Sequence, residues 1–238
     1  MNKYNFSPGP AKLNNSVLEI VNQNILEYEN EGFSILEISH RSESFQSILE
    51  NTKKNLKDLL NIPSNYKILF LQGGATFHNT FLAHNINFKK STSNLVTGTW
   101  GQKTYDDFVK IRDSKKILLK SSDISEFIRD PSLAANQKTD YLHITSNETI
   151  EGIQLRSFNQ IENDLIVDSS SDIGSYKFDW HNVAYIYAGA QKNLGIPGVT
   201  ISIIREDFIE QNENPIYLNL SKLIDKDSLL NTPPTFSI

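Results

Sequence analysis

The stretch VAYIYAGAQKNLGIPGVTISIIR, Val183 to Arg205, decides the fold. It holds two apolar runs, VAYIYAG (183–189) and VTISIIR (199–205), around a short insert of small and polar residues. β-Branched and aromatic runs of this length, bounded by glycine, read as strands buried on both faces. The loop between them is short, which allows this pair to be antiparallel. The insert raises a chemical question as well, because it presents Lys192 just beyond a strand end. Such a lysine is either an ordinary solvated loop residue or a reactive amine at the mouth of a sheet.

Similar runs lie upstream: YKILFL (66–71), NLVTG (94–98), KILLK (116–120), DYLHIT (140–145) and DLIVD (164–168). Segments with helical character separate them, among them the residues after QGGAT, the stretch Gln102 to Arg112 and the segment near Ile124 to Arg129. Before the first strand, Ser16 is expected to cap a helix in which Val17, Ile20, Val21 and Ile25 recur at helical spacing until Gly32. A second helix is expected from about Ser44 to Leu60. This alternation predicts an α/β fold, a three-layer sandwich with a mostly parallel central sheet. FSPGPAKL implies an extended arm over residues 1–15, ahead of one large domain over 16–238. The paired prolines of NTPPTF break regular structure near residue 234.

The 238 residues, 38% of them hydrophobic, suffice for a packed core. The 23 basic and 28 acidic residues give a formal charge of -5 with no basic cluster, which argues against a nucleic-acid partner. The absence of cysteine removes thiolate zinc sites and cysteine nucleophiles and fits a reducing compartment. The five histidines form no HxxxH pair, so no metal site is expected. Neither a secretory signal nor an apolar run of membrane-spanning length is present, so a cytoplasmic protein without a membrane partner is expected.

In open α/β sheets ligands gather beyond the carboxyl ends of the strands, so polar residues that follow apolar runs are the candidates. Gly73 to Thr76 let the backbone approach a ligand and lead into a helix whose amino end would attract an anion, although a plain tight turn reads equally well. The nucleotide pattern GxxxxGKS/T is absent. Asp168 ends a buried run, so its carboxylate needs a hydrogen-bonding or cationic partner, either a protonated ring nitrogen or the serines that follow it. Trp100 could stack on an aromatic ligand or lie in the core. Lys192 follows small residues that would admit a planar group. A lysine, an aspartate, an aromatic face and a phosphate nest at successive strand ends together point to pyridoxal 5′-phosphate.

NFSPGPAKL, ISHRS, FLQGGAT, NETIEGIQ, VDSSSDI, YIYAGAQKNLG and NTPPTF occur in one order along essentially the whole chain. In this the sequence resembles the phosphoserine aminotransferases, fold-type I pyridoxal-phosphate enzymes. The resemblance implies amino-group transfer between L-glutamate and 3-phosphohydroxypyruvate in serine, and possibly pyridoxine, biosynthesis. Other readings are a different aminotransferase of the same class, or a cofactor-binding fragment without activity. The resemblance also implies that Lys192 carries the cofactor and then moves the substrate proton, and that Asp168 keeps the pyridinium nitrogen protonated. Trp100 would stack on the ring and Thr149 would bond its phenolic oxygen. Ala75, Thr76 and Gln191 would hold the phosphate, joined by Asn231 and Thr232 in the partner subunit of a homodimer. Arg41, beside His40, would bind the substrate carboxylate.

The chain departs from the family pattern at His78 and Asn79, where glutamine and phenylalanine are common, at Thr76, which some members replace by arginine, and at Tyr176, where arginine is common. It also stops where the family continues into a small carboxyl-terminal domain, so a partial chain is expected.

Overall fold

A computed structural model describes residues 4–119, 126–127, 138–158, 161–230 and 238. Two helices precede the sheet, α1 (Asn15–Leu26) and α2 (Glu43–Leu60). Then follow β1 (Tyr66–Leu71), α3 (Gly74–Asn85), β2 (Thr92–Val96), α4 (Thr99–Phe108), β3 (Lys115–Leu118) and β4 (Tyr141–Thr145). Beyond β4 come β5 (Asn147–Glu148), β6 (Ile153–Gln154), β7 (Asp164–Asp168), β8 (Val183–Gly189), β9 (Thr200–Arg205) and a short α5 (Leu220–Asp225).

Among the described residues, seven strands form the main sheet in the order β1-β9-β8-β7-β4-β2-β3. The four pairings from β8 across to β3 are parallel, and β9 is antiparallel to both β8 and β1. The short loop after β8 does turn the chain back, with Tyr185 opposite Ile204 and Gly189 opposite Thr200. β5 and β6 form a separate antiparallel ribbon.

Both sheet faces are covered, as the buried strands require. One face packs on α2, whose Phe45, Leu49, Leu56 and Leu60 join Ile68, Phe70, Ile144, Val167 and Ile203 in one apolar cluster. Each such buried leucine or phenylalanine contributes about 1.5–3 kcal/mol relative to exposure. α2 starts at Ser42, whose hydroxyl accepts the Phe45 N–H, and ends at left-handed Asn61. The opposite face packs on α3, α4 and α5 through Phe81, Leu82, Phe108, Leu220 and Leu223 against Leu69, Ile166, Tyr185, Tyr187 and Ile204.

Several boundaries differ from the sequence expectation: α1 ends at Leu26 rather than near Gly32, and β2 and β3 span Thr92–Val96 and Lys115–Leu118 rather than 94–98 and 116–120. Asn14, not Ser16, caps α1, because its side chain accepts the Ser16 N–H. The apolar residues of α1 stay unburied among the described residues, with Leu26 85% exposed. α4 begins at Thr99 rather than Gln102 and stops at Phe108. Its start is held by side chains from a distant segment, and Arg112 folds back to donate to the carbonyls of Ile86, Asn87 and Lys90. Of the segment near Ile124 to Arg129, the described pair 126–127 is helical. Asn231, Thr232 and the rest of NTPPTF up to residue 237 lie outside the described residues.

Candidate active site

Because β4, β7 and β8 are parallel, their carboxyl ends meet along one edge, with Thr145 beside Asp168 and Asp168 beside Tyr187. A cavity of about 570 Å³ opens there between the strand ends and the amino-terminal turns of α3 and α4. Gly74, Ala75 and Thr76, Trp100, Asp168, Gln191 and Lys192 line it.

The turn from β1 into α3 depends on glycine. Gly73 has φ 93° and Gly74 φ 64°, and a Cβ on Gly73 would lie 2.5 Å from the Phe77 Cβ. No side chain caps α3 at Gly73, so the partial positive charge of its first turn faces the cavity.

Asp168 is buried, and its Oδ1 accepts the Ser170 N–H at 2.9 Å. Desolvation raises its pKa, opposed by hydrogen bonding from Ser170 and by the positive charge of Lys192. A buried carboxylate in this state is stabilised by a further cation. Lys192 Nζ lies 5.3 Å from the centroid of the Trp100 ring and Lys103 Nζ 4.5 Å, so the indole sits among cations. The Trp100 indole N–H donates to the Thr149 hydroxyl at 3.0 Å. Thr149 is exposed beside the indole rather than in the cavity lining. Arg41 and His40 are likewise not among the lining residues; Arg41 is exposed, and His40 Nε2 is buried with no hydrogen-bond partner among the described residues.

Sequence reasoning missed several lining residues, including Thr145, Asn79, Thr104 and Asp107. Thr145 Oγ1 is buried, belongs to a lining residue and has no hydrogen-bond partner among the described residues. Asn79 ties the cavity floor together: its Oδ1 accepts from Thr104 Oγ1 and from Tyr187 OH, each at 3.2 Å, and its Nδ2 donates to Asp107 at 3.3 Å. Behind it His78 is fully buried and stacks on Tyr187 at 5.4 Å. Its Nδ1 bonds the Gly74 carbonyl at 2.9 Å and its Nε2 bonds Ser202 Oγ at 3.1 Å, which fixes the neutral Nδ1–H tautomer. Both departures from the family pattern at these positions are therefore absorbed into hydrogen bonds.

Comparison with known proteins places the chain. The aminotransferase class-V family model matches residues 3–233. The chain belongs to the class-V aminotransferases. It is 42% identical over 247 residues to the phosphoserine aminotransferase of Lactococcus lactis subsp. cremoris strain MG1363, an alignment covering 99% of this chain and 67% of that protein. Its structure superposes on the phosphoserine aminotransferase of Bacillus circulans subsp. alkalophilus with a TM-score of 0.90 and 38% identity, covering 99% of this chain and 66% of the other. A pyridoxal-phosphate-bound phosphoserine aminotransferase from Trichomonas vaginalis matches with a TM-score of 0.85 and 29% identity, over 99% and 71% of the two chains. The chain thus spans about two thirds of the length of these relatives.

Membership in this aminotransferase family implies pyridoxal phosphate as the cofactor. The residues present fit it: a buried acid, an amine, an aromatic face, an uncapped helix amino end and the orphaned Thr145 hydroxyl surround one cavity.

Proposed function

We propose that this aminotransferase works with pyridoxal phosphate in the cavity and transfers the amino group between L-glutamate and 3-phosphohydroxypyruvate, the phosphoserine aminotransferase reaction of serine biosynthesis. The observation that carries this reading is the convergence of Lys192, Asp168 and Trp100 on one cavity, in a chain about 40% identical to proteins of that name. A supply of vitamin precursor through the same reaction, a homodimer and a cytoplasmic setting belong to this proposal.

When bound, the cofactor supplies an aldehyde for an amine and a ring that accepts the electron pair left when a substrate Cα–H bond breaks. Lys192 would hold the cofactor through its Nζ, and the same Nζ would accept the substrate Cα proton and hand it on as the conjugate acid. Asp168 holds the proton on the ring nitrogen, and the cation there relieves the desolvation of its own carboxylate. Trp100 covers the ring. Ala75, Thr76 and Gln191 hold the phosphate, with the uncapped turn of α3 adding its partial charge. The Thr149 hydroxyl accepts from Trp100 and keeps its own proton, and its bond to the phenolic oxygen rests on the resemblance, since Thr149 lies outside the cavity lining.

Resemblance alone supports the assignment of Arg41 and His40 to the substrate carboxylate and of Asn231 and Thr232 to the phosphate across a dimer. The division into an arm over 1–15 and a large domain over 16–238 is likewise proposed. Within the arm, the Ala11 N–H bonds the Gln191 carbonyl at 2.9 Å, beside the reactive lysine.

The decisive test is covalent trapping. Protein supplied with pyridoxal phosphate should turn yellow, and borohydride should fix the cofactor on the peptide that contains Lys192. Lys192→Ala should abolish the adduct and retain non-covalent binding. A stable adduct on another lysine, with Lys192 unmodified, refutes the assignment.

A further inference from the structure

Trp100 stands at the start of α4, and carboxylates from another part of the chain close that helix end. Glu148, at the end of β5, is fully buried. Its Oε2 accepts the Trp100 backbone N–H at 2.9 Å and its Oε1 accepts the Gly101 N–H at 2.7 Å. Glu151, in the turn between β5 and β6, accepts the Thr99 N–H at 2.9 Å and the Thr99 hydroxyl at 2.6 Å. First-turn amides have no partner inside their own helix and carry partial positive charge, so bonds to a carboxylate are charge-assisted.

Glycine makes room for this arrangement. A Cβ on Gly98 would lie 2.5 Å from Glu151 Oε2 and 2.7 Å from Glu148 Cδ, and one on Gly101 would lie 3.0 Å from Glu148 Oε1. A local cap would have to come from position 98, which has no side chain. Capping from 48 residues away along the chain instead ties α4 to the β5–β6 ribbon. The residue after Glu148 is Thr149, which accepts the Trp100 indole N–H. Adjacent residues of one ribbon thus grip Trp100 at its backbone and at its ring.

We propose that Glu148 is a positioning residue of the cofactor site: by holding the Trp100 and Gly101 amides, it sets the plane in which the Trp100 ring meets the ligand. This rests on the reading that pyridoxal phosphate occupies the cavity with Trp100 against its ring. Glu148 touches neither cofactor nor substrate and acts through Trp100. A bidentate carboxylate suits the task because it fixes two consecutive amides and with them the rotation of the first helical turn. Either amide alone would leave that turn free to pivot.

The test is a double-mutant cycle on pyridoxal phosphate affinity of the full chain, read by the visible absorbance and visible circular dichroism of the bound cofactor. Glu148→Gln keeps the shape but turns one acceptor into a donor facing a backbone N–H. Glu148→Asp keeps the charge but is a methylene too short to reach both amides. Each should weaken affinity about tenfold and reduce the dichroism per bound cofactor, as expected for loss of a buried charge-assisted bond. In a Trp100→Ala background the same changes should cost less than about twofold, because the ring they steer is gone.

Equal losses in both backgrounds indicate a general structural role and overturn the proposal, and so does unchanged affinity in Glu148→Gln. Should the glutamine variant fail to fold, the aspartate arm decides by the same cycle. Failure of the wild-type chain to take up pyridoxal phosphate overturns the cofactor reading and the proposal with it. Wild-type uptake with equal losses overturns the proposal alone.

Discussion

Mild acid should destabilise the ligand-free protein through two buried imidazoles. His78 is 0% and His143 1% exposed. Burial lowers the pKa of His78 to about 4 and that of His143 to about 3, from 6.5 for a free imidazole. His78 faces the Gly74 carbonyl, Ser202 and the rings of Phe77, Phe81 and Tyr187. His143 faces Tyr187 OH at 2.9 Å and the Phe108 ring, and its Nδ1 has no partner for a second proton. Between pH 6.5 and these lowered values the unfolded chain binds protons that the folded chain refuses, so stability falls as pH falls. One unit is worth about 1.36 kcal/mol. Integrated from about pH 7.5 to about pH 5, each histidine removes about 2 kcal/mol, and the pair about 4 kcal/mol as an upper figure.

Asp168 and Glu148, whose pKa values are raised chiefly by desolvation, act in the opposite sense. Each binds a proton more readily in the folded state, which offsets part of the loss on the acid side. Urea unfolding at the two pH values, for the wild type and for His143→Phe, separates these contributions. The phenylalanine variant keeps an aromatic ring without a titrating nitrogen and should lose about 2 kcal/mol less than the wild type on acidification. Equal losses in the two proteins, or an NMR titration of His143 near 6.5, would refute the reasoning.

Asp168→Asn should still bind pyridoxal phosphate but should lower single-turnover transamination on the order of 10²–10³-fold, since an amide cannot hold the ring nitrogen as a cation; near-unchanged rates would remove its assigned role. Thr145→Val should leave the melting temperature of the ligand-free protein level or slightly higher, because it deletes an unpartnered buried hydroxyl. The same variant should weaken cofactor binding about tenfold if that hydroxyl meets the cofactor, and unchanged affinity would show that it does not. Inorganic phosphate should shift the NMR signals of the Gly74 to Thr76 amides and leave those of Thr99 to Gly101 in place, and the reverse pattern would put the anion at the wrong helix.

The layers of the fold were legible because the buried strands are nearly continuous apolar runs, and VAYIYAG and DLIVD coincide with β8 and β7. The antiparallel turn into β9 could be read because its loop is local. The pairing of β9 with β1 could not, since it joins residues well over a hundred positions apart. Lys192, Asp168, Trp100, Ala75, Thr76 and Gln191 do surround one cavity, as strand-end reasoning expects. Thr145 escaped that reasoning because a threonine closing an apolar run reads as ordinary strand, whereas the carboxylate of Asp168, likewise the last residue of its strand, stands out by its charge. Trp100, Lys103, Thr104 and Asp107 line the cavity at i, i+3, i+4 and i+7 of α4, a spacing that was readable once the helix was known to begin at Thr99. That start was hidden, because its caps are Glu148 and Glu151 and no local signal at Gly98 announces them.

The direction of a ligand along the cavity follows from how its two helix ends are treated. Either α3 or α4 could attract an anion by its dipole alone. At α4, Glu148 and Glu151 already occupy the amides of Thr99, Trp100 and Gly101, so a phosphate there would meet two carboxylates and no free donor. At α3 no side chain intervenes, and the glycines at 73 and 74 bring bare backbone to the cavity wall. Under the proposed function the phosphate would therefore sit at α3, in the same cavity that Trp100, Asp168 and Lys192 line. The carboxylates that hold the Thr99, Trp100 and Gly101 amides also deny that helix end to an anion, so under the two proposals one ribbon would both orient the aromatic wall and set the polarity of the site.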